Sequence, residues 1–133
     1  MDAAETIRER LKNQFHRGPD FIGRETLHEL GDMFRSNDPR VREVYLFGSY
    51  SRGEATPESD VDLCVIYEGN ARDMVDVVGE SQPGVRERLW GRNLFCDIVA
   101  FPESAIEEVK LDPWKWPLLK NVLRDGIRGG MKI

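Results

Sequence analysis

The sequence predicts an α/β (α+β) domain, and three observations lead to this prediction. Apolar residues recur at helical spacing near both ends of the chain. Three runs rich in β-branched and aromatic residues lie between them, and turn-forming residues separate the segments. A length of 133 residues is typical of one domain. We therefore expect a single domain over residues 1–133, with an N-terminal helical segment (1–36), a core (41–101) and C-terminal helices (104–127).

Two amphipathic helices are expected before the first strand. The first covers residues 2–16 and is followed by a Gly-Pro break; its apolar stripe repeats every four residues at Ile7, Leu11 and Phe15. The second is expected from about Arg24 to Arg35, with the turn residues Asn37, Asp38 and Pro39 after it.

The predicted strands cover residues 41–47 (VREVYLF), 61–67 (VDLCVIY) and 93–101 (NLFCDIVAF). The third run is apolar on both alternating faces, which is typical of a strand in the middle of a sheet. We therefore expect it to be central.

The remaining segments are predicted to be helical. A short helix is expected over residues 71–80, one further turn over 85–90, and a helix that starts at a capping box formed by Ser104 and Glu107. Pro117 opens a last helix, Gly126 suits its C-terminal cap, and the tail after Arg128 is expected to be loose.

Acidic residues on the last two strands form the first candidate site. Asp60 and Asp62 are two residues apart on an extended chain, so their side chains point to the same side of the sheet. Asp97 is a third acid, in a strand that is otherwise apolar, where an ionised carboxylate needs a compensating charge. If the three meet, a divalent metal resolves their repulsion. Oxygen ligands without His or Cys favour Mg²⁺ first and Mn²⁺ second.

A glycine-bearing turn after the first strand forms the second candidate site. Gly48 lets the backbone come close to a ligand, and Ser49 offers a hydroxyl. If the stretch up to Gly53 begins a helix, the helix N-terminus would add partial positive charge. Arg52 suits either a phosphate contact or a solvated loop. Together with a metal, these groups are typical of a site for a nucleoside triphosphate.

The run GSYSRGEATPESDVD resembles the nucleotidyltransferases of the DNA polymerase β superfamily. Gly48-Ser49, ten residues and then Asp60-x-Asp62 match the family pattern, and Asp97 matches its third acid. The resemblance covers residues 41–101 and is closest to the minimal nucleotidyltransferase group. Ser51 departs from the alanine common there. The resemblance implies a palm-like fold with a small mixed central sheet flanked by helices.

The resemblance also implies roles for these residues. Asp60 and Asp62 would bind two metal ions, while Asp97 would ligate one of them and is a candidate base. The residues expected to hold ATP or another nucleoside triphosphate are Gly48, Ser49, Arg52 and Ser59.

The expected activity is Mg²⁺-dependent transfer of a nucleoside monophosphate, AMP from ATP, to a hydroxyl group. The chain holds no second lobe that would enclose a small acceptor, which favours a protein acceptor. By resemblance this is a tyrosine of a HEPN-domain ribonuclease toxin, with the chain as its antitoxin. Two alternatives remain open. One is a non-catalytic antitoxin that acts by binding, and the other is a small-molecule (aminoglycoside-type) nucleotidyltransferase whose pocket is completed in a homo-oligomer.

Composition excludes other classes of function. The 24 acidic residues outnumber the 19 Lys and Arg, so duplex DNA is not expected as a ligand. The sequence has no export signal and no long apolar segment, which predicts a cytoplasmic protein without membrane contact. Cys64 and Cys96 are expected to be buried free thiols.

Other conspicuous residues receive structural interpretations. Trp114 and Trp116 are expected in the core rather than in a partner-binding patch. A charged solvent face is favoured over an acceptor-binding patch for Arg86, Arg88 and Arg92. Surface or capping roles are expected for His16 and His28.

Overall fold

The structure is a computed structural model that describes residues 16–129, so the helix predicted over residues 2–16 lies almost wholly outside the described residues. The helices are α1 (Pro19–Ile22), α2 (Arg24–Asn37), α3 (Met74–Ser81, after a 3₁₀ turn at Ala71–Asp73), α4 (Val85–Trp90), α5 (Glu103–Leu111) and α6 (Pro117–Asp125). The strands are β1 (Val41–Phe47), β2 (Val61–Tyr67), β3 (Cys96–Pro102) and β4 (Ile127–Gly129).

The strands form one mixed sheet in the order β3-β2-β1-β4. β1 is antiparallel to β2 and β4, whereas β2 and β3 are parallel. The mixed sheet and its flanking helices confirm the predicted fold class. The prediction of a loose tail was wrong at Gly129, which lies in β4 and pairs with Val44.

The prediction that β3 is central was also wrong, because β3 lies at an edge of the described sheet. Its apolar pattern has another cause. Helices α3 and α5 contact β3, and Ala100 and Phe101 are buried. Apolar residues on both faces of a strand therefore show that both faces are covered, and they do not require a second neighbouring strand.

Each face of the sheet has its own core. Alternate residues of β2 pack against α2 and α4 on one face: Val61, Leu63, Val65 and Tyr67. The other residues of β2 pack under α5 and α6 on the second face: Cys64 and Ile66. Both cysteines are buried and free, as expected.

The observed helix ends agree only in part with those predicted from the sequence. Pro117 and Gly126 flank α6 as predicted. The capping box was wrong, because Pro102 occupies the N-cap of α5 and Ser104 already lies inside the helix. Glu107 is then one turn further along α5, where it pairs with Lys110.

The tryptophans differ in their surroundings. Trp116 is partly buried with its ring 5.6 Å from that of Phe101, but Trp114 is 79 % exposed, so the core prediction was wrong for Trp114. Among residues 16–129, none of the helices is long and apolar enough to cross a membrane.

Candidate active site

The turn after β1 lies directly against an acid of β2. Gly48 has φ +74°, a conformation that side chains with a Cβ rarely adopt. A Cβ added there would overlap Oδ2 of Asp62 and would lie 3.1 Å from its Cγ. Because glycine has no Cβ, the turn can approach the Asp62 carboxylate this closely.

Residues 48–53 form successive turns rather than a helix. The Ser51 hydroxyl donates to the carbonyl of Gly48 at 2.8 Å, and the N–H of Glu54 donates to the carbonyl of Ser49 at 2.9 Å. The helix that would have added its dipole to a phosphate site is therefore not formed. What the turn offers a phosphate is its backbone N–H groups and the partly exposed Ser49.

Tyr50 anchors this turn and was missed by sequence reasoning. Its side chain is fully buried and stacks on Phe21, with the ring centroids 6.2 Å apart. Phe21 in turn lies 4.1 Å from the guanidinium of Arg17 and 5.6 Å from that of Arg92. An aromatic residue inside a polar turn was the available signal, because exposed turns seldom need one.

Asp62 and Asp97 are register partners on the parallel strands β2 and β3. Neighbouring strands lie about 4.8 Å apart and register partners point to the same face, so the two carboxylates are side by side. Asp97 is exposed, contrary to the expectation that it sits in apolar surroundings, because the helices that cover its face of the sheet pack on residues further along β3. Asp62 is the partly buried acid of the site, and Asp60 is exposed at the entry to β2.

Burial raises the pKa of Asp62 to about 6. That value includes the smaller effects of the neighbouring charges, since Asp97 and then Asp60 also raise the pKa of Asp62, whereas Arg52 lowers it. The four groups therefore act on one another electrostatically, even though they come from three separate segments.

The carboxylates suit a hard divalent cation by their chemistry. Their donors are all oxygen, and burial and the neighbouring acids disfavour the ionised form of Asp62, an effect that a cation would reduce. Within residues 16–129, no three His, Cys, Asp or Glu side chains are gathered closely enough to form a ready-made metal site. A cation would relieve the repulsion that the three acids exert on one another.

The other predicted site residues have partners within the chain. Arg52 forms an exposed ion pair with Glu54, with 3.1 Å between Nε and Oε2. The Ser59 hydroxyl accepts from the N–H of Thr56 at 2.9 Å, which orders the loop that leads into Asp60.

The three arginines named as a possible acceptor patch each form hydrogen bonds or an ion pair within the chain. Arg86 donates to the carbonyl of Cys96 at 2.8 Å, and Arg88 pairs with Glu29. Arg92 donates to the carbonyls of Phe21 and Ile22 at the C-terminal end of α1. Arg86 and Arg88 are exposed, as the favoured charged solvent face predicts, and each of the three also ties two segments together, which the sequence did not indicate.

A family model described as "nucleotidyltransferase domain" matches residues 24–122 of the chain. The chain belongs to the nucleotidyltransferase domain family. The matched range contains the turn at Gly48 and the acids Asp60, Asp62 and Asp97, so the resemblance drawn from the sequence is confirmed at the level of the family.

Two curated relatives of this nucleotidyltransferase domain come from Methanocaldococcus jannaschii. They are the putative protein adenylyltransferases MJ1379, 39% identical with 34% of this chain and 51% of that protein covered, and MJ0604, 37% identical with 32% and 40% covered. The chain therefore spans about half the length of the curated relatives that it matches.

Solved structures also resemble this domain. One is a putative nucleotidyltransferase from Sulfolobus solfataricus, with 23% identity, 76% of this chain and 73% of that chain covered and a TM-score of 0.47. Another is a mutant of the toxin-antitoxin MntA-HpeT, with 19% identity, 75% and 68% covered and a TM-score of 0.46.

Proposed function

We propose that this nucleotidyltransferase domain transfers AMP from ATP to a hydroxyl group of a protein in a Mg²⁺-dependent reaction. The observation that carries the proposal is the contact of the Gly48 turn with Asp62, beside which Asp97 lies on the neighbouring strand. A turn that offers backbone N–H groups next to paired carboxylates suits a triphosphate and its cation. The names of the two curated relatives support protein as the acceptor class.

The turn would hold the triphosphate. The N–H groups of the turn and the Ser49 hydroxyl would donate to phosphate oxygens, and Arg52 would leave Glu54 to join them. This exchange costs little, because the Arg52–Glu54 pair is exposed and such pairs contribute about 0–1 kcal/mol. Ser59 would act through the loop that it orders before Asp60.

The acids would bind the cation, and one of them would accept the proton. Asp60, Asp62 and Asp97 would bind Mg²⁺, with Mn²⁺ as the second choice, and the cation when bound neutralises phosphate charge and stabilises the leaving pyrophosphate. Asp97 would accept the proton of the acceptor hydroxyl. The acceptor oxygen forms a bond to the α-phosphorus, and the bond from that phosphorus to the bridging oxygen breaks.

We further infer that the acceptor is a tyrosine of a HEPN-domain toxin and that the chain acts as its antitoxin. The sequence resemblance to the minimal nucleotidyltransferase group supports this partner. The acidic surface around Asp97 also suits a toxin that offers basic residues near its acceptor.

The test is an incubation of the purified protein with labelled ATP, Mg²⁺ and a purified HEPN-domain toxin. We expect label on the toxin with the wild type and none with Asp60→Asn/Asp62→Asn. The matched control is Asp32→Asn/Asp76→Asn, which makes the same charge change on exposed helix faces and should transfer normally. Undiminished transfer by the site variant would show that these acids are not catalytic.

A neutralisation assay separates catalysis from binding. Cells that express the toxin are supplied with the wild type or the site variant at equal abundance. Full protection by the site variant would mean that the chain neutralises its partner by binding.

A further inference from the structure

The C-terminal end of α6 lies at the same end of the sheet as the acids. Continued by one step, the antiparallel register of β1 and β4 places Phe47 opposite Gly126, the residue that follows α6. Phe47 is also the register partner of Asp62, and Asp62 is in turn the partner of Asp97. One line of register partners therefore crosses the sheet from Asp97 through Asp62 and Phe47 to the end of α6.

Two charged residues, Arg124 and Asp125, end α6 just before it reaches that line. The Gly48 turn follows β1 at the same level of the sheet, and neighbouring strands lie about 4.8 Å apart. The charged pair therefore borders the Gly48 turn from the β4 side, whereas Asp62 borders it from the β2 side. A phosphate group bound by the turn would have the end of α6 as its neighbour.

Asp125 occupies a position that is unfavourable for an acid. The last turn of a helix carries partial negative charge, which disfavours a carboxylate there and favours a guanidinium group. Hydrogen bonds from Arg124 lower the pKa of Asp125, burial raises it, and the charges of Arg124 and Arg52 lower it. Arg52 belongs to the turn, so the turn and the end of α6 lie within electrostatic range of each other, as the register of the strands also requires.

The hydrogen bonds of Arg124 leave one edge of its guanidinium group free. Nε donates to Oδ1 of Asp125 at 3.0 Å, and Nη2 donates to Oδ2 at 2.9 Å. Consecutive residues of a helix normally point in different directions, so this pairing draws the arginine toward the end of α6. Among residues 16–129, Nη1 has no hydrogen-bond partner, and the side chain of Arg124 is 63% exposed. The planar guanidinium group can therefore bind a second anion along its Nη1–Nη2 edge, in the orientation that Asp125 gives it.

The position of Arg124 indicates which part of a nucleotide it would meet. Phosphoryl-type transfer places the attacking and leaving oxygens roughly in line. Asp97, the candidate base, lies at one end of the line of register partners, and Arg124 lies beside the other end. With the acceptor hydroxyl at Asp97 and the α-phosphate at the acids, the leaving pyrophosphate would extend over the turn toward Arg124. A guanidinium group suits these phosphates by its charge and by its two parallel donors.

We propose that Arg124 binds the β- and γ-phosphates of the nucleoside triphosphate from the β4 side of the Gly48 turn. Arg124 and Arg52 then contact the leaving pyrophosphate together, at the end of the site opposite Asp97. This inference rests on the proposed function for the nucleoside triphosphate as substrate. It goes beyond that function by naming a residue of α6, outside the turn and the acids, that recognises the leaving group.

The test compares Arg124→Ala with Arg42→Ala, which removes another exposed, ion-paired arginine near the opposite end of β1. Calorimetry with Mg²⁺ present measures the affinities for a non-hydrolysable ATP analogue, for pyrophosphate and for AMP. We expect Arg124→Ala to bind the analogue and pyrophosphate about tenfold more weakly, because hydrogen bonds to charged groups are the stronger ones. Its affinity for AMP should equal that of the wild type. Arg42→Ala should bind all three as the wild type does, and Arg124→Lys, which keeps the charge without the paired donors, should lose less than Arg124→Ala.

Three outcomes would overturn the inference: an unchanged affinity of Arg124→Ala for the ATP analogue, an equal loss of affinity for AMP, or a wild type that binds neither the analogue nor pyrophosphate. Failure of the proposed function gives a different pattern. Binding of the analogue that depends on Arg124, without transfer of AMP to a protein, would keep the assignment of Arg124 and refute the proposed activity. Circular dichroism checks that each variant is folded.

Discussion

Replacement of Gly48 by alanine tests whether the phosphate turn and Asp62 are coupled by direct contact. The left-handed backbone at φ +74° costs a residue with a Cβ about 1–2 kcal/mol. The added methyl group also overlaps Oδ2 of Asp62, and forced contacts in packed sites cost about 1–3 kcal/mol. We therefore expect Gly48→Ala to lower the free energy of unfolding by about 2–5 kcal/mol, measured by urea denaturation at pH 7.

Gly53 provides the matched control for this prediction. It has φ +72°, but a Cβ added there meets no atom within 4 Å. Gly53→Ala should therefore cost only about 1–2 kcal/mol, the backbone part. In an Asp62→Ala background the overlapping carboxylate atoms are gone, so the loss of stability caused by Gly48→Ala should fall to that of Gly53→Ala. Equal losses for Gly48→Ala and Gly53→Ala in the wild-type background would refute the contact argument.

Three further predictions concern single residues of the site. Because burial and like charges raise the pKa of Asp62 to about 6, ionisation of this group reduces stability as the pH rises from about 4 to 6. Without metal, Asp62→Asn should therefore raise the free energy of unfolding at pH 7.5 by about 1–2 kcal/mol and leave it unchanged at pH 3.5. Mg²⁺ should raise the melting temperature of the wild type but not that of the variant. A variant that is less stable than the wild type at pH 7.5 would contradict this reasoning. The Tyr50 hydroxyl is buried and has no hydrogen-bond partner among residues 16–129, so Tyr50→Phe should raise the free energy of unfolding by about 1 kcal/mol in urea denaturation. Arg52→Ala should change the free energy of unfolding by less than about 0.5 kcal/mol, because its ion pair is exposed. It should weaken the binding of a non-hydrolysable ATP analogue measured by calorimetry. An unchanged affinity would show that Arg52 does not contact the nucleotide.

The sequence was sufficient for the features that depend on local periodicity and spacing. The limits of β1 and β2 agree with the runs of β-branched residues, and the alternation in β2 correctly separates Asp62 from the buried Val61, Leu63 and Val65. The ten-residue spacing between Ser49 and Asp60 pointed to the family. These are short-range patterns, so one sequence contains the information.

Contacts between residues far apart in the chain could not be predicted from the sequence in the same way. β4 has only three residues, and its pairing with β1 joins segments about 80 residues apart. Tyr50 looked like part of a polar loop, because its stacking partner Phe21 lies far away in the sequence. The exposure of Asp97 depends on how far the helices extend over its face of the sheet, which the composition of β3 does not report.

The exposure of Asp97 is the difference that bears most on the proposed function. On the sheet face that carries Asp62, α5 and α6 cover the residues further along β2, while Asp97 stays in solvent. The turn at Gly48 already occupies the β1 side, so under the proposed function the acceptor hydroxyl would approach the acids from the β3 side. If the turn holds the pyrophosphate, this approach would place the attacking oxygen opposite the leaving group, which is the in-line arrangement that the transfer needs.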